Sequence, residues 1–79
     1  MRVTVKIPKM GLTIEDVVVG DWTRSVGDRI EADELLVTVE ADKASYEIPA
    51  AASGVLTEIR ANTGETVEVG GTIAVIETD

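Results

Sequence analysis

The residue most clearly able to take part in chemistry is a lysine, Lys43, near the centre of the segment VEADKASYEI, residues 39–48. Its amine could act as a nucleophile once it loses its proton, and it lies between two apolar, strand-like runs where a tight turn is expected. Turns favour Gly, Asn, Asp and Pro, which accounts for Asp42 but not for Lys43 or Ala44. A lysine at a hairpin tip is most often only a solvated charge, so this one needs a further explanation.

The chain offers little other chemistry, because its 79 residues include neither Cys nor His. Disulfides and thiolate reactions of the polypeptide are therefore excluded, and the usual general base near neutral pH is missing together with the commonest metal ligand. Three serines, Ser25, Ser45 and Ser53, have no imidazole to activate them. We expect no catalytic residue and no metal site, so that any redox chemistry must come from an attached group.

The charge balance narrows the range of partners. Fifteen acidic residues against seven basic ones give a net charge of −8, and nucleic acid is an unsuitable partner because phosphate binding needs clustered Lys and Arg. The opening residues MRVTVKIP alternate between apolar and polar, so they predict neither a signal peptide nor a membrane span. We expect a cytoplasmic bacterial or archaeal protein, or a mitochondrial matrix protein if a presequence was removed.

The remaining composition predicts β structure with an internal repeat. The sequence has no Phe, one Trp and one Tyr, so the core must be built from aliphatic residues, among which β-branched Val suits a pleated surface. Residues 26–42 align with residues 63–79 without a gap, at an offset of 37. The alignment matches the turn residues Gly27 and Gly64 as well as the apolar positions, which argues against a chance similarity between Val-rich strands.

The repeat predicts an all-β fold: a flattened barrel or sandwich of two small antiparallel sheets with quasi-two-fold symmetry, forming one domain over residues 1–79. Under that symmetry the turn at Lys43 lies at the extreme end of the molecule, opposite the chain termini. Trp22 is expected to pack at least half buried in a strand. We predict strands near residues 2–7, 16–22, 29–31, 35–40, 45–49, 54–60, 66–68 and 72–77.

The segment EADKASYEIPA resembles the lipoylation motif of lipoyl domains, which belong to the biotinyl/lipoyl carrier family and occur in the acyltransferase (E2) chains of 2-oxo acid dehydrogenase complexes. The resemblance extends over essentially the whole chain, with IPKMGLTIED similar to the first strand and surface loop of the family and GVLTEIRANTGETVEVGGTIAVIETD similar to its second half. It implies a barrel-sandwich hybrid fold and a lipoic acid joined covalently to Lys43. The matching residues are Glu40, Asp42 and Ala44, for the hairpin and its recognition by the attaching enzyme, and Gly27 and Gly54, with a structural role.

The resemblance also implies a function as a swinging arm. Lipoyl-lysine would be reductively acylated by a thiamine-diphosphate enzyme (E1), pass the acyl group to coenzyme A at the E2 catalytic domain, and be reoxidised by the flavoenzyme dihydrolipoamide dehydrogenase (E3). A lipoate ligase or lipoyl transferase would be a further partner. The domain itself would be a non-catalytic monomer, and its parent chain a dihydrolipoamide acyltransferase.

The loop at residues 10–16 is our candidate for E1 recognition, through Leu12, Thr13, Ile14 and Glu15. The alternative is that Leu12 and Ile14 fold back onto the core. We expect an N-terminal domain excised from a longer chain, with a free-standing carrier as the alternative. The pattern PKMGLTIED favours a pyruvate or acetoin complex and leaves a branched-chain complex open.

Two other functions compete with lipoylation. A biotinyl carrier domain would share the fold, but its lysine is typically flanked by methionines, whereas Lys43 is flanked by Asp42 and Ala44 and the two methionines are Met1 and Met10. The lipoyl-bearing H-protein of glycine cleavage is longer and lacks a close Asp-Lys-Ala match. An unmodified acidic interaction module is the second alternative, from a different class.

Overall fold

The computed structural model describes residues 1–9, 14–41 and 44–78, and within these ranges the chain forms strands and turns without a helix. The observed strand bounds differ from the predicted ones by one residue at most. The strands are β1 (Arg2–Lys6), β2 (Asp16–Trp22), β3 (Arg29–Ile30), β4 (Leu35–Glu40), β5 (Ser45–Pro49), β6 (Gly54–Ile59), β7 (Thr66–Glu68) and β8 (Thr72–Thr78).

The strands form two four-stranded sheets whose paired strands are all antiparallel. One, here called the hairpin sheet, has the order β5-β4-β2-β7, and the other, here called the terminal sheet, has the order β1-β8-β6-β3. The predicted all-β architecture of two small antiparallel sheets is therefore confirmed. Each sheet draws strands from both halves of the sequence, so neither repeat can form a complete sheet alone.

The internal repeat is visible in single hydrogen bonds, one in each sheet, that extend the β3–β6 and β2–β7 pairings into the preceding turns. The Gly27 N–H donates to the Leu56 carbonyl at 2.7 Å, and 37 residues further on the Gly64 N–H donates to the Val19 carbonyl at 2.8 Å. Because Val19 and Leu56 are themselves separated by the same offset, the two bonds exchange under one rotation. The quasi-two-fold symmetry that the alignment predicts thus extends to backbone geometry.

The tight turns also occur at equivalent positions. Gly27 and Gly64 have positive φ values of 99° and 92°, which glycine adopts without a Cβ clash. Asp33 and Gly70, again 37 residues apart, both have positive φ, at 70° and 88°. Both halves therefore have a left-handed turn at this position, made by Asp in one and by Gly in the other. Asp can replace Gly here because it tolerates positive φ better than most side chains do.

The core between the sheets is aliphatic, as the composition predicts. Trp22 is half buried at its edge, where its indole Nε1 donates to the Ala61 carbonyl at 3.0 Å and so joins β2 to the segment after β6. Among the described residues no polar side chain is buried. The buried apolar residues are Val5, Ile7, Val17, Val19, Ile30, Leu36, Val37, Val39, Ile48, Ala50, Leu56, Ala61, Ile73, Ala74, Val75 and Ile76.

The β4–β5 connection and the contact between Met1 and Thr78, here called the two tips, occupy equivalent positions of the repeat, in a molecule that measures 36 × 20 × 18 Å. The C-terminal end of β2 contacts the segment after β6, through Trp22 and Ala61. Near the N-terminal ends of these strands, Val18 of β2 pairs with Glu40 and Gly54 of β6 pairs with Thr78. Across the part of the chain that the structure covers, no helix is long and apolar enough to cross a membrane.

Candidate cofactor-attachment site

The connection that carries Lys43 joins the ends of β4 and β5. Glu40 and Ser45 form the last strand pair, and beyond them the Ala41 N–H donates to the Ala44 carbonyl at 2.8 Å. This bond closes the base of the connection. Asp42 and Lys43 themselves lie outside the described residues, so the assignment of Lys43 as the attachment point stays a prediction from the sequence.

The base of the connection is anchored on one side and open on the other. Ala41 is half buried and packs against the core cluster, next to the fully buried Val39. Glu40, Ala44 and Ser45 are exposed. A group attached between these flanks would start from a fixed backbone frame, and an attaching enzyme would find no described residue covering the flanks.

Glu40 is the last residue of β4, and its side chain is exposed to solvent. Its Cα partner on the neighbouring strand is Val18, and both residues are exposed. No described side chain forms an ion pair with Glu40. Its carboxylate is therefore exposed beside the connection, where the predicted role in recognition by an attaching enzyme would require it, although that role stays a prediction.

The two glycines that match the family have different structural reasons. Gly27 is exposed and has open space around the position of a Cβ, so its requirement is its positive φ. Gly54 is buried, and a Cβ there would overlap the Glu77 carbonyl group, with the carbonyl carbon at 2.8 Å and the Thr78 Cα at 2.9 Å. At Gly54 the close approach of β8 excludes a side chain.

The loop proposed for partner recognition is described only from Ile14 onwards, and Leu12 and Thr13 lie outside the described residues. Ile14 is half buried and packs against the core, so for this residue the alternative of folding back is the observed one. Glu15 is exposed, and its carbonyl accepts a hydrogen bond from the Val69 N–H at 2.9 Å. The described end of the loop is therefore fastened to the turn after β7.

Sequence reasoning singled out neither Ala41 as an anchor nor Val18 as an exposed neighbour of Glu40. A signal for Val18 exists, because strand alternation from the buried Val17 and Val19 puts it on the outer face. No comparable signal marks Ala41, whose packing against the core cluster is a tertiary contact. Within the described ranges, no three His, Cys, Asp or Glu side chains are grouped so that they could hold a metal ion.

Comparison with known proteins assigns the family. The biotin/lipoyl family model, described as "Biotin-requiring enzyme", matches residues 3–76. The chain is 42% identical over 76 residues to the dihydrolipoyllysine-residue acetyltransferase component of the pyruvate dehydrogenase complex of Corynebacterium glutamicum, covering 96% of the chain and 11% of that protein. It is 40% identical over 72 residues to the dihydrolipoyllysine-residue succinyltransferase component of the 2-oxoglutarate dehydrogenase complex of Staphylococcus saprophyticus, covering 91% of the chain and 17% of that protein. The chain thus spans less than a fifth of the length of these relatives.

Solved structures agree with this assignment. The lipoyl domain of the 2-oxoglutarate dehydrogenase complex from Azotobacter vinelandii superposes with a TM-score of 0.77 at 35% identity, over 98% of this chain and 99% of that one. The urea carboxylase of Kluyveromyces lactis superposes with a TM-score of 0.81 at 25% identity, over 98% of this chain and 6% of that one. The chain belongs to the biotin/lipoyl attachment family, and it is a lipoyl domain homologous to those of the E2 components of pyruvate and 2-oxoglutarate dehydrogenase complexes.

Proposed function

We propose that this chain is a lipoyl-lysine carrier in which lipoic acid is joined as an amide to Nζ of Lys43. The observation that carries the proposal is the hydrogen-bonded base of the β4–β5 connection, between Ala41 and Ala44. This hydrogen bond fixes the backbone on both sides of the connection, and the sequence places one lysine, Lys43, between the two bonded residues. The Asp-Lys-Ala motif and the family membership agree with lipoate as the group attached there.

The residues around the connection suit attachment of a long, uncharged arm. Ala44 is small and exposed, and Glu40 is exposed without a described ion-pair partner. Packing of Ala41 against the core holds the base of the connection to the sandwich. The protein side therefore contributes position and access, and the attaching enzyme contributes activation of the acyl group and removal of the lysine proton, since free lysine titrates near ~10.4.

When bound, the dithiolane ring would supply redox and acyl-carrying chemistry: reductive acylation by a thiamine-diphosphate E1, transfer to coenzyme A at an E2 catalytic domain, and reoxidation by E3. The chain's own contribution is to hold the arm covalently and to present it to successive active sites. Tethering raises the effective concentration of the arm at each of them, which replaces diffusion of free intermediates. With neither Cys nor His in the sequence, we assign no catalytic step to the carrier itself.

A biotinyl carrier is the second candidate, because the description of the matching family model, "Biotin-requiring enzyme", names biotin. Against it stands the immediate sequence around the lysine. Asp42 and Ala44 flank Lys43, and both methionines lie elsewhere in the sequence. Lipoate therefore fits the motif better than biotin does.

The proposal is tested by loading the purified chain in two parallel reactions, one with lipoate, ATP and a lipoate ligase and one with biotin, ATP and a biotin ligase. Intact-mass and fragment-ion spectrometry then locate any added group. The chain has three lysines, Lys6, Lys9 and Lys43. We expect one lipoyl group on Lys43 and no biotin.

Two charge-preserving variants provide the controls. Lys43→Arg should lose modification completely, whereas Lys6→Arg, on the exposed end of β1, should be lipoylated like the wild type. Biotin on Lys43, lipoate on Lys6 or Lys9, or an unmodified chain in both reactions would each contradict the proposed function.

A further inference from the structure

The outer face of the hairpin sheet contains a row of side chains that begins beside the lipoyl connection. Strand pairing places Ser45, Glu40, Val18 and Thr66 side by side, on β5, β4, β2 and β7 in that order. All four residues are exposed. The row therefore crosses the whole width of the sheet, and it starts at the base of the connection that carries Lys43.

The two-fold symmetry provides an internal reference for this row. Its equivalent on the terminal sheet consists of Arg2, Glu77, Val55 and Arg29, on β1, β8, β6 and β3. Here cations flank the glutamate: the Arg2 Nε lies 3.4 Å from the Glu77 carboxylate. Because the backbone is the same in the two rows, the difference in charge is a property of the sequence and not of the fold.

The contrast extends over the whole hairpin sheet. None of its four strands contains a Lys or Arg, whereas the terminal sheet has Arg2, Lys6 and Arg29. At the positions equivalent to Arg2 and Lys6, the hairpin sheet has Ser45 and Pro49. Acidic side chains occur over much of this molecule, so what distinguishes the hairpin sheet is the absence of cations from its strands.

The outer face of the hairpin sheet also has an apolar centre. Val18 is 39% exposed, whereas its symmetry equivalent Val55 is more covered. Around Val18 lie exposed carboxylates that no described cation pairs: Glu40 on β4, Asp16 on β2 and Glu68 opposite Asp16 on β7. An apolar contact surrounded by charges of one sign is the arrangement expected of a docking surface.

We propose that this face, centred on Val18 and bordered by Asp16, Glu40 and Glu68, docks on a surface rich in Arg and Lys on the E1 enzyme that acylates the arm. The proposal rests on the proposed function. A basic protein surface is the complementary occupant, and a second copy of this chain is unsuitable because each copy carries a net charge of −8. The face adjoins the arm, so docking there brings the arm to the rim of the active site.

The symmetry supplies a matched pair of variants for the test. Glu68→Lys reverses a charge on the proposed face, and Glu31→Lys makes the same change at the equivalent position, 37 residues earlier, beside the terminal sheet. The two variants have equal net charge; they differ in where the charge lies and in that Glu31→Lys also removes the exposed ion pair with Arg29. Neither residue belongs to the attachment hairpin.

Each variant is lipoylated, checked by mass, and assayed for reductive acylation by E1 from a pyruvate complex and E1 from a 2-oxoglutarate complex. With the more active E1, we expect Glu68→Lys to lower kcat/KM by about tenfold at low ionic strength and Glu31→Lys by less than about twofold. The difference should shrink between about 0.01 M and 0.15 M salt, as the screening length falls from about 30 Å to about 8 Å.

A second matched pair tests the apolar centre. Val18→Ser should raise KM several-fold without changing kcat, and Val55→Ser should change neither. Circular dichroism confirms that all four variants are folded before they are compared.

Three results would overturn the docking proposal: equal losses in Glu68→Lys and Glu31→Lys, no loss in either, or a difference that salt leaves unchanged. Failure of both E1 enzymes to acylate the lipoylated wild type would also contradict it. A wild-type chain that takes no lipoate at all contradicts the proposed function instead, so the two failures are distinguishable.

Discussion

The two tips of this sandwich share one backbone arrangement and carry different chemistry. At one tip the Ala41 N–H donates to the Ala44 carbonyl, and at the other the Thr78 N–H donates to the Met1 carbonyl, both at 2.8 Å. Thr78 follows Ala41 by the same offset of 37 residues that relates the rest of the repeat. In the sequence Asp42 and Lys43 follow Ala41 at the first tip, and at the second the N-terminal ammonium lies within 3.3 Å of Glu77. The fold therefore determines where a tip lies, and a few residues determine what it can do.

The largest loss of stability is expected at Gly54, where the two halves differ because its symmetry equivalent is Val17. Gly54→Ala should lower the free energy of unfolding by about 3 kcal/mol, because the added Cβ meets the backbone of β8 rather than a flexible side chain. Val17→Ala should also destabilise, by about 2 kcal/mol, because it removes two buried methyl groups. Alanine is thus too large at one position and too small at its equivalent.

Urea denaturation followed by Trp22 fluorescence measures both effects. Equal stability of Gly54→Ala and the wild type would contradict the steric explanation for this glycine.

Gly27 and Gly64 test whether the two halves are equivalent in energy as well as in geometry. At both positions φ is positive and a Cβ would have no neighbour within 4 Å. Replacing either residue with alanine should cost about 1 kcal/mol through backbone strain alone. Because both sites have the same geometry, the two losses in denaturation free energy should agree within about 0.5 kcal/mol, and the double variant should show their sum. Unequal losses would show that the two turns differ in more than sequence position.

The smallest effect is expected where the two sheets differ most in charge. Arg2→Ala removes the contact with Glu77, but the side chains are 77% and 45% exposed. We expect a loss of at most about 0.5 kcal/mol, because exposed ion pairs contribute little and salt screens them. Unfolding curves at low and high salt should converge for Arg2→Ala and the wild type, whereas a loss above about 1 kcal/mol that persists in salt would contradict this assessment.

The strands and turns could be predicted from local patterns alone. Val-rich apolar runs bounded by turn residues located the strands, and the turn glycines, repeated at a fixed offset, indicated the two-fold relation. The register shift in β2 between Val19 and Trp22 could not be predicted, because it depends on contacts with β4. The reason for glycine at position 54 was equally hidden, since the excluding atoms belong to β8, far away in sequence.

The candidate site was predictable in the same uneven way. A motif of a few residues pointed to Lys43 and its neighbours, because covalent attachment needs particular residue types in immediate sequence. The loop that begins at Met10 carries no such pattern, and the inward packing of Ile14 follows from tertiary contacts with the core. Exposure of Val18 relative to Val55 likewise depends on what neighbouring strands cover, which alternation does not report.

The hydrogen bond between Thr78 and Met1 has a consequence for how this polypeptide can be rearranged. Because its first and last described residues are in direct contact, the backbone forms an almost closed ring. The strand pairs that make up the sandwich then do not depend on where along this ring the chain starts. A bridge as short as the one between Ala41 and Ala44 would close the circle. A circularly permuted chain opened at another turn would then retain every strand pair.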